Sequence, residues 1–228
     1  MNSWLAGPRA AFDLETTGRN PLTARLVTAS VVLLDANEAI LASHEWLADP
    51  GVEIPAEATA IHGISTDHAR AEGQPATQVL GELSTLLANY FAQQIPVIGF
   101  NACYDFSVLK YESARHGLAE ITALPVIDPF ILDKQVDRFR KGKRTLVACC
   151  EHYHIPLLAA HTSAADALAA ARLATAIARQ YPELQLPATQ LHQEQVKWAA
   201  AQAQNFQDFL REQGRHDAVI DGTWPVAR

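Results

Sequence analysis

Arg9-Ala10-Ala11-Phe12-Asp13-Leu14-Glu15-Thr16-Thr17-Gly18 is the stretch on which the fold turns. Its first six residues read as a short strand that runs into a polar loop over 16–23, punctuated by Gly18 and Pro21. Side chains on a strand alternate between faces, so Asp13 and Glu15 point the same way while Leu14 points into the core. Outward from there, residues 26–34 are rich in β-branched side chains and read as a second strand, 35–37 as a turn and 39–47 as a third strand. Two hairpin-linked strands after the first imply an antiparallel meander.

Beyond Pro75 the period changes. Val79, Leu80, Leu83, Leu86, Leu87, Tyr90 and Phe91 recur at helical spacing. A short buried strand is expected at 96–100, a helix at 104–116 stopped by Gly117, a strand at 124–127, and helices at 145–153 and 163–181. Strand, helix, strand, helix implies parallel crossovers. The expectation is an α/β fold with a mixed sheet of about five strands flanked by helices. Pro182 and Pro187 bracket a linker, and 188–213 reads as one long helix ended by Gly214. The chain divides on this reading into a domain over 1–182 and a C-terminal helical extension and tail over 183–228.

Composition narrows the function classes. With 49% hydrophobic and 19% charged residues the chain is globular rather than disordered. No stretch approaches the ~20 apolar residues of a membrane helix, and Gly7 and Pro8 break any apolar leader, so a cytoplasmic location without membrane contact is expected. Cys103, Cys149 and Cys150 have neither disulfide nor zinc-site spacing. His152, His154 and His161 lack cysteine partners for zinc as well. A net charge of −7 is wrong for gripping a polynucleotide through counterion release alone. Such a partner would require bound cations or a local basic patch.

Paired carboxylates are the conspicuous chemistry. Asp13 and Glu15 at an open strand end repel each other and call for a cation, a shared proton or solvation. Asp105, directly after the 96–100 strand, opens a helix where the helix dipole favours an acid in any case. Ser163-Ala-Ala-Asp166 matches a capping box. His161 and Asp166 are five residues apart, about 140° around a helix, so they cannot share a helical face. A helix starting at Ser163 would leave His161 in the preceding loop, where it could turn back beside Asp166.

These residues together resemble a family. Phe12-Asp13-Leu14-Glu15-Thr16-Thr17-Gly18 is similar to the first motif of the DEDDh, or DnaQ-like, 3′–5′ exonucleases, which include the proofreading epsilon subunit of bacterial replicative DNA polymerase. Asn101-Ala-Cys-Tyr-Asp105 resembles their second motif, and His161-x4-Asp166 their third, with the spacing of the histidine branch. Ile61-His62-Gly63-Ile64 resembles a segment that contacts substrate. The resemblance covers roughly 9–180. It departs from the family pattern at Phe100, where a histidine is common.

The resemblance implies a ribonuclease H-like fold and hydrolysis of phosphodiester bonds at single-stranded 3′ ends, with DNA ahead of RNA. It implies two divalent cations, Mg²⁺ or Mn²⁺, held by Asp13, Glu15, Asp105 and Asp166, with Asp105 acting mainly through water. His161 would be the general base, and Thr16, His62 and Asn101 would contact substrate. Two other functions compete: RNA 3′-end trimming, and an inactive nucleic-acid-binding module on the same fold. Intact catalytic positions argue against the module.

Two further features seek a role. Lys134, Arg138, Arg140, Lys141, Lys143 and Arg144 cluster within eleven positions, as either a solvated loop or a phosphate-guiding patch. On the last helix Val196, Ala199, Ala203, Phe206 and Leu210 form an apolar stripe. That stripe would pack on its own chain, pair with a second copy in a homodimer, or meet a partner such as a polymerase.

Overall fold

The computed structural model describes residues 2–157 and 162–227. Among these residues the chain forms β1 (Arg9–Thr16), β2 (Leu26–Leu34), β3 (Ile40–Asp49), α1 (Ala56–His62), α2 (Thr66–Glu72), β4 (Gln74–Pro75), α3 (Ala76–Ala92), β5 (Val97–Ile98), α4 (Ala102–Arg115), β6 (Val126–Ile127), α5 (Pro129–Val136), α6 (Leu146–His152), α7 (Ser163–Gln180) and α8 (Ala188–Glu212). The sheet order is β4-β3-β2-β1-β5-β6. β1, β2 and β3 form the expected antiparallel meander, while β5 and β6 add in parallel beside β1. This is a ribonuclease H-like α/β fold. No helix of the described residues is long and apolar enough to cross a membrane.

The alternation of β1 divides the core in two. Ala10, Phe12 and Leu14 pack on one side with Leu83, Leu87 and Phe106, under α3 and α4. Ala11 looks the other way, into a layer with Ala167, Ala171 and Ala174 of α7. Asp13 and Glu15 share the Ala11 face, so strand periodicity aims both carboxylates toward α7. The buried alanines of α7 let its backbone approach the sheet closely. Its start is pinned by Ser163, whose hydroxyl meets that of Ser30 on β2 at 2.6 Å. The N-cap is Thr162, which accepts from the Ala165 amide. The cap therefore lies one residue before the Ser163 of the capping-box pattern: Ser163 is turned to the sheet, not to the helix end.

Short elements carry little signal in the sequence. α1 and α2 fill 56–72, where seven-residue helices leave too few turns for a periodic pattern. α5 begins at an Asp128-Pro129 pair, an N-cap followed by proline at the first helical position. The sixth strand, β4, is a two-residue edge on β3.

The C-terminal helix closes the opposite edge of the sheet. Gln195, fully buried on α8, accepts from the Asp128 amide at 2.7 Å and donates to the Val126 carbonyl at 3.1 Å. His192 Nδ1 accepts from the Val126 amide at 3.0 Å. Side chains thus satisfy backbone groups that a further strand would otherwise take, which protects the edge. The buried face of α8 runs through Leu191, His192 and Gln195 with Trp198, partly offset from the expected stripe: Leu210 is buried and Ala199 packs on the core, but Val196 and Phe206 are 40% and 49% exposed. The offset arises because an apolar count cannot tell which face of a helix meets unpaired backbone. Through that offset face α8 packs on this chain's own β6 and α5.

Gln195→Leu is expected to cost roughly 2–3 kcal/mol, because it strands a buried amide and a buried carbonyl together. Urea unfolding measures it. A change under about 0.5 kcal/mol would mean that the edge is held by apolar contact alone.

Candidate active site

The carboxylates converge where β1 ends and α4 and α7 begin. Ligand oxygens of Asp13, Glu15 and Asp166 lie within 4.8 Å of one another. Asp13 and Glu15 arrive from alternate positions of β1, and Asp166 from the first turn of α7. Asp105, 4% exposed in the first turn of α4, accepts from the Leu14 amide at 3.2 Å. The β1–β5 ladder pairs only Ala10 and Ala11, so the Asp105 carboxylate takes over beyond its end. Asp105 is outside the close group of three, although it adds to the field on Asp13.

Repulsion is visible in the protonation of these groups. Burial, followed by Asp105, Glu15 and Asp166, holds the Asp13 carboxyl well above the usual carboxylate range. Burial and then Asp166 push Glu15 up to about 7. Burial raises Asp105 as well, against the Leu14 amide, which lowers it. A cluster that repels itself to this extent is one that added positive charge would relieve. Carboxylate oxygens are hard donors, the chemistry of Mg²⁺ and Mn²⁺ rather than of zinc. The three clustered groups fit such an ion.

A cleft of about 770 Å³ opens beside the cluster, lined by Leu14, Glu15, Thr16, Ile61, His62, Asn101 and Tyr104 among others. The three residues expected to touch substrate therefore share one wall space. Thr16 sits at a register shift in β1 and its hydroxyl meets the Tyr104 hydroxyl at 2.5 Å. Both hydroxyls also bond the Gly18 carbonyl, which fixes the loop after β1. His62 Nδ1 accepts from the Ile64 amide at 3.1 Å, and burial lowers the pKa of the ring. Its Nε2 is buried without a hydrogen bond of normal geometry, although the Thr16 backbone is near enough to oppose the effect of burial on the ring.

Asn101 stands at the start of α4 with φ 58°, a left-handed conformation that asparagine tolerates better than most residues. Asp128 holds it there. One carboxylate takes the amides of Asn101 at 2.9 Å, Ala102 at 3.0 Å and Phe130 at 2.9 Å, tying the starts of α4 and α5 together. Burial raises Asp128 to about 6 against those three bonds. Neither Tyr104 nor Asp128 stands out in the sequence as a site residue. The Asp-Pro pair is readable as a helix start, but the second helix that Asp128 serves lies 27 residues away. Phe100, in place of the family histidine, packs against Phe130 with ring centroids 5.6 Å apart. His161, expected as the base, lies outside the described residues.

The basic cluster is only partly a patch. Arg140 and Arg144 are turned onto buried Asp133, with Arg140 Nη2 at 2.6 Å. Lys134 belongs to α5, its ammonium 4.8 Å from the Phe130 ring centroid. Arg138, Lys141 and Lys143 remain exposed.

The RNase_T family model, described as an exonuclease, matches residues 10–174, a span that contains all five expected catalytic positions. The chain is 30% identical over 151 residues to a PolC-type DNA polymerase III of Streptococcus sanguinis, and 27% over 154 residues to that of Pediococcus pentosaceus. These matches take in 63% and 65% of this chain but 10% of each polymerase. Among solved structures, E. coli exonuclease I in complex with a dA16 oligonucleotide superposes with a TM-score of 0.66 at 17% identity, covering 78% of this chain and 42% of that one. Exonuclease I of Methylocaldum szegediense gives 0.61 at 18%, covering 78% and 41%. At such identities the likeness is one of fold.

Proposed function

Because this chain belongs to the RNase_T exonuclease family, we propose that it removes nucleotides from single-stranded DNA 3′ ends by metal-dependent hydrolysis. The observation that carries the reading is the convergence of Asp13, Glu15 and Asp166 within 4.8 Å beside a cleft that holds Thr16, His62 and Asn101. Asp13, Glu15 and Asp166 would hold the divalent cations, with the Asp105 carboxylate adding to the negative field on Asp13. Bound Mg²⁺ or Mn²⁺ would supply the charge that activates a water and stabilises the leaving 3′ oxygen.

The chain's own residues do the rest. His161, assigned by the motif it shares with Asp166, would take the proton of the attacking water. Thr16 offers its amide to the terminal 3′-OH, and Tyr104 keeps the Thr16 loop in place. The Nε2 of His62, buried at the wall of the cleft, is a donor for the terminal nucleotide. Asn101, set by Asp128, borders the strand just before it. Residues 1–182 form the catalytic unit on this reading, and 183–228 an extension that braces β6. The PolC-type polymerases matched above support a setting in DNA replication or repair, beside a polymerase.

Single strands of DNA and RNA with matched sequence, labelled at either end, test the reading. Stepwise release of mononucleotides from the 3′ end is expected, faster on DNA, and stopped by chelator. Undiminished digestion in excess chelator, or internal cleavage first, would sink it.

A further inference from the structure

The 137–145 loop between α5 and α6 is built to present a surface. Asp133, fully buried on α5, receives Arg140 and Arg144 on one oxygen and the Tyr153 hydroxyl at 3.0 Å on the other. Arg144 also donates to the carbonyls of Asp137 and Arg140. Both limbs of the loop are thereby tethered inward. What lies between is turned out: Arg138, Lys141 and Lys143 are exposed, and Phe139 is 88% exposed. The Arg138 guanidinium lies 5.8 Å from the centroid of that ring.

An apolar protein partner would meet a lone ring, since the loop residues flanking Phe139 are Arg138, Arg140 and Lys141. A base stacked between phosphates finds a ring with charges on either side, on a chain that is otherwise acidic. The loop is also connected to the active site. Lys134, one turn before it, lines a groove of about 470 Å³ with Phe130 and Asn101. Asn101 borders the catalytic cleft too.

We propose that this loop is a second contact for single-stranded DNA. Phe139 stacks on a base upstream of the 3′ end, and Arg138, Lys141 and Lys143 meet the flanking phosphates. The strand reaches the loop from the cleft across Asn101 and the Phe130–Lys134 groove. The direction of the strand rests on the exonuclease reading above; the contact itself does not.

Fluorescence anisotropy with labelled dT12 and dT3, in chelator so that nothing is digested, tests it. Phe139→Ala is expected to weaken dT12 binding by about tenfold, the scale of one base–aromatic stack, with dT3 affected less than twofold. Lys141→Ala with Lys143→Ala should lower the log–log salt slope for dT12 by about 1.4, two phosphate contacts on a single strand. Thermal melting of both variants should match the wild type, since the side chains are exposed. Unchanged dT12 affinity and slope in both variants overturn the inference. Equal losses on dT3 and dT12 do so as well, because the contact would then not be distal. Digestion by the wild type, assayed separately with Mn²⁺, is independent: a protein that binds dT12 through Phe139 but digests nothing overturns the exonuclease reading alone.

Discussion

Asp13→Asn is expected to abolish nuclease activity and, in chelator, to raise the melting temperature. The two effects have one cause. Asp13 is the group on which Asp105, Glu15 and Asp166 all press, and its carboxyl is held well above the ordinary range. A neutral amide of the same shape removes a charge that the fold strains to keep. It also removes a carboxylate that would hold the proposed cations, so the rate should fall on the order of 10³-fold or more, the scale of losing one preorganised electrostatic group. The pH dependence follows in sign. Asp13 and Glu15 both titrate higher in the folded than in the unfolded chain, so the native state binds more protons across that interval. Their contribution is full below the unfolded value of about 4. It is lost as pH rises through the folded value, about 7 for Glu15. Metal-free protein should therefore lose stability from about pH 4 to 7, less steeply in Asp13→Asn, and Mn²⁺ should restore it in the wild type. Melting curves across that range measure the slope. A variant that melts lower than wild type in chelator at pH 8 would refute the repulsion.

His161→Ala is expected to keep metal binding and lose the reaction. All four carboxylates remain, so Mn²⁺ should still raise the melting temperature. The rate near neutral pH should drop on the order of 10²–10⁴-fold, the usual contribution of a positioned base. Part of that loss should return at high pH, where hydroxide replaces the base. The acid limb of the profile is not diagnostic by itself, because protonating the carboxylates that hold the metal also slows the reaction. The comparison of both proteins at saturating Mn²⁺ separates the causes. Wild-type rate in the variant at pH 7 would make His161 a loop residue and send the search for a base elsewhere.

Much of the active site is legible in the amino-acid sequence, because its signals are local. Asp13 and Glu15 are two positions apart on a strand, so the period of the pleat puts them on one face wherever the strand sits. The meander of β1 to β3 and the α3 helix are readable for the same reason: alternation and helical recurrence are set by the chain's own geometry over ten or twenty residues. α1, α2 and α5 show no such recurrence over their seven or eight residues, although the equally short α6 falls within the helix expected at 145–153. The Thr162 cap is ambiguous by one residue because Ser163 has the same capping chemistry, and only the nearby Ser30 hydroxyl decides which of the two turns inward.

Written into the order of residues are the inventory and its spacing: the face shared by Asp13 and Glu15, the motif order that ends at Asp166, and the periods that make an α/β sheet. The tertiary structure alone decided which distant groups meet. Asp105 reaches Leu14 across 91 residues. Asp128 holds Asn101 across 27, and Gln195 reaches Asp128 across 67. Arg140 and Arg144 became tethers rather than phosphate contacts because Asp133 is buried beneath them. The physical reason is that periodicity is a property of neighbouring bonds, whereas a hydrogen-bond partner is chosen by which backbone groups the sheet leaves unpaired. That choice exists only once β5 and β6 have added beside β1 and their ladders have stopped after two residues.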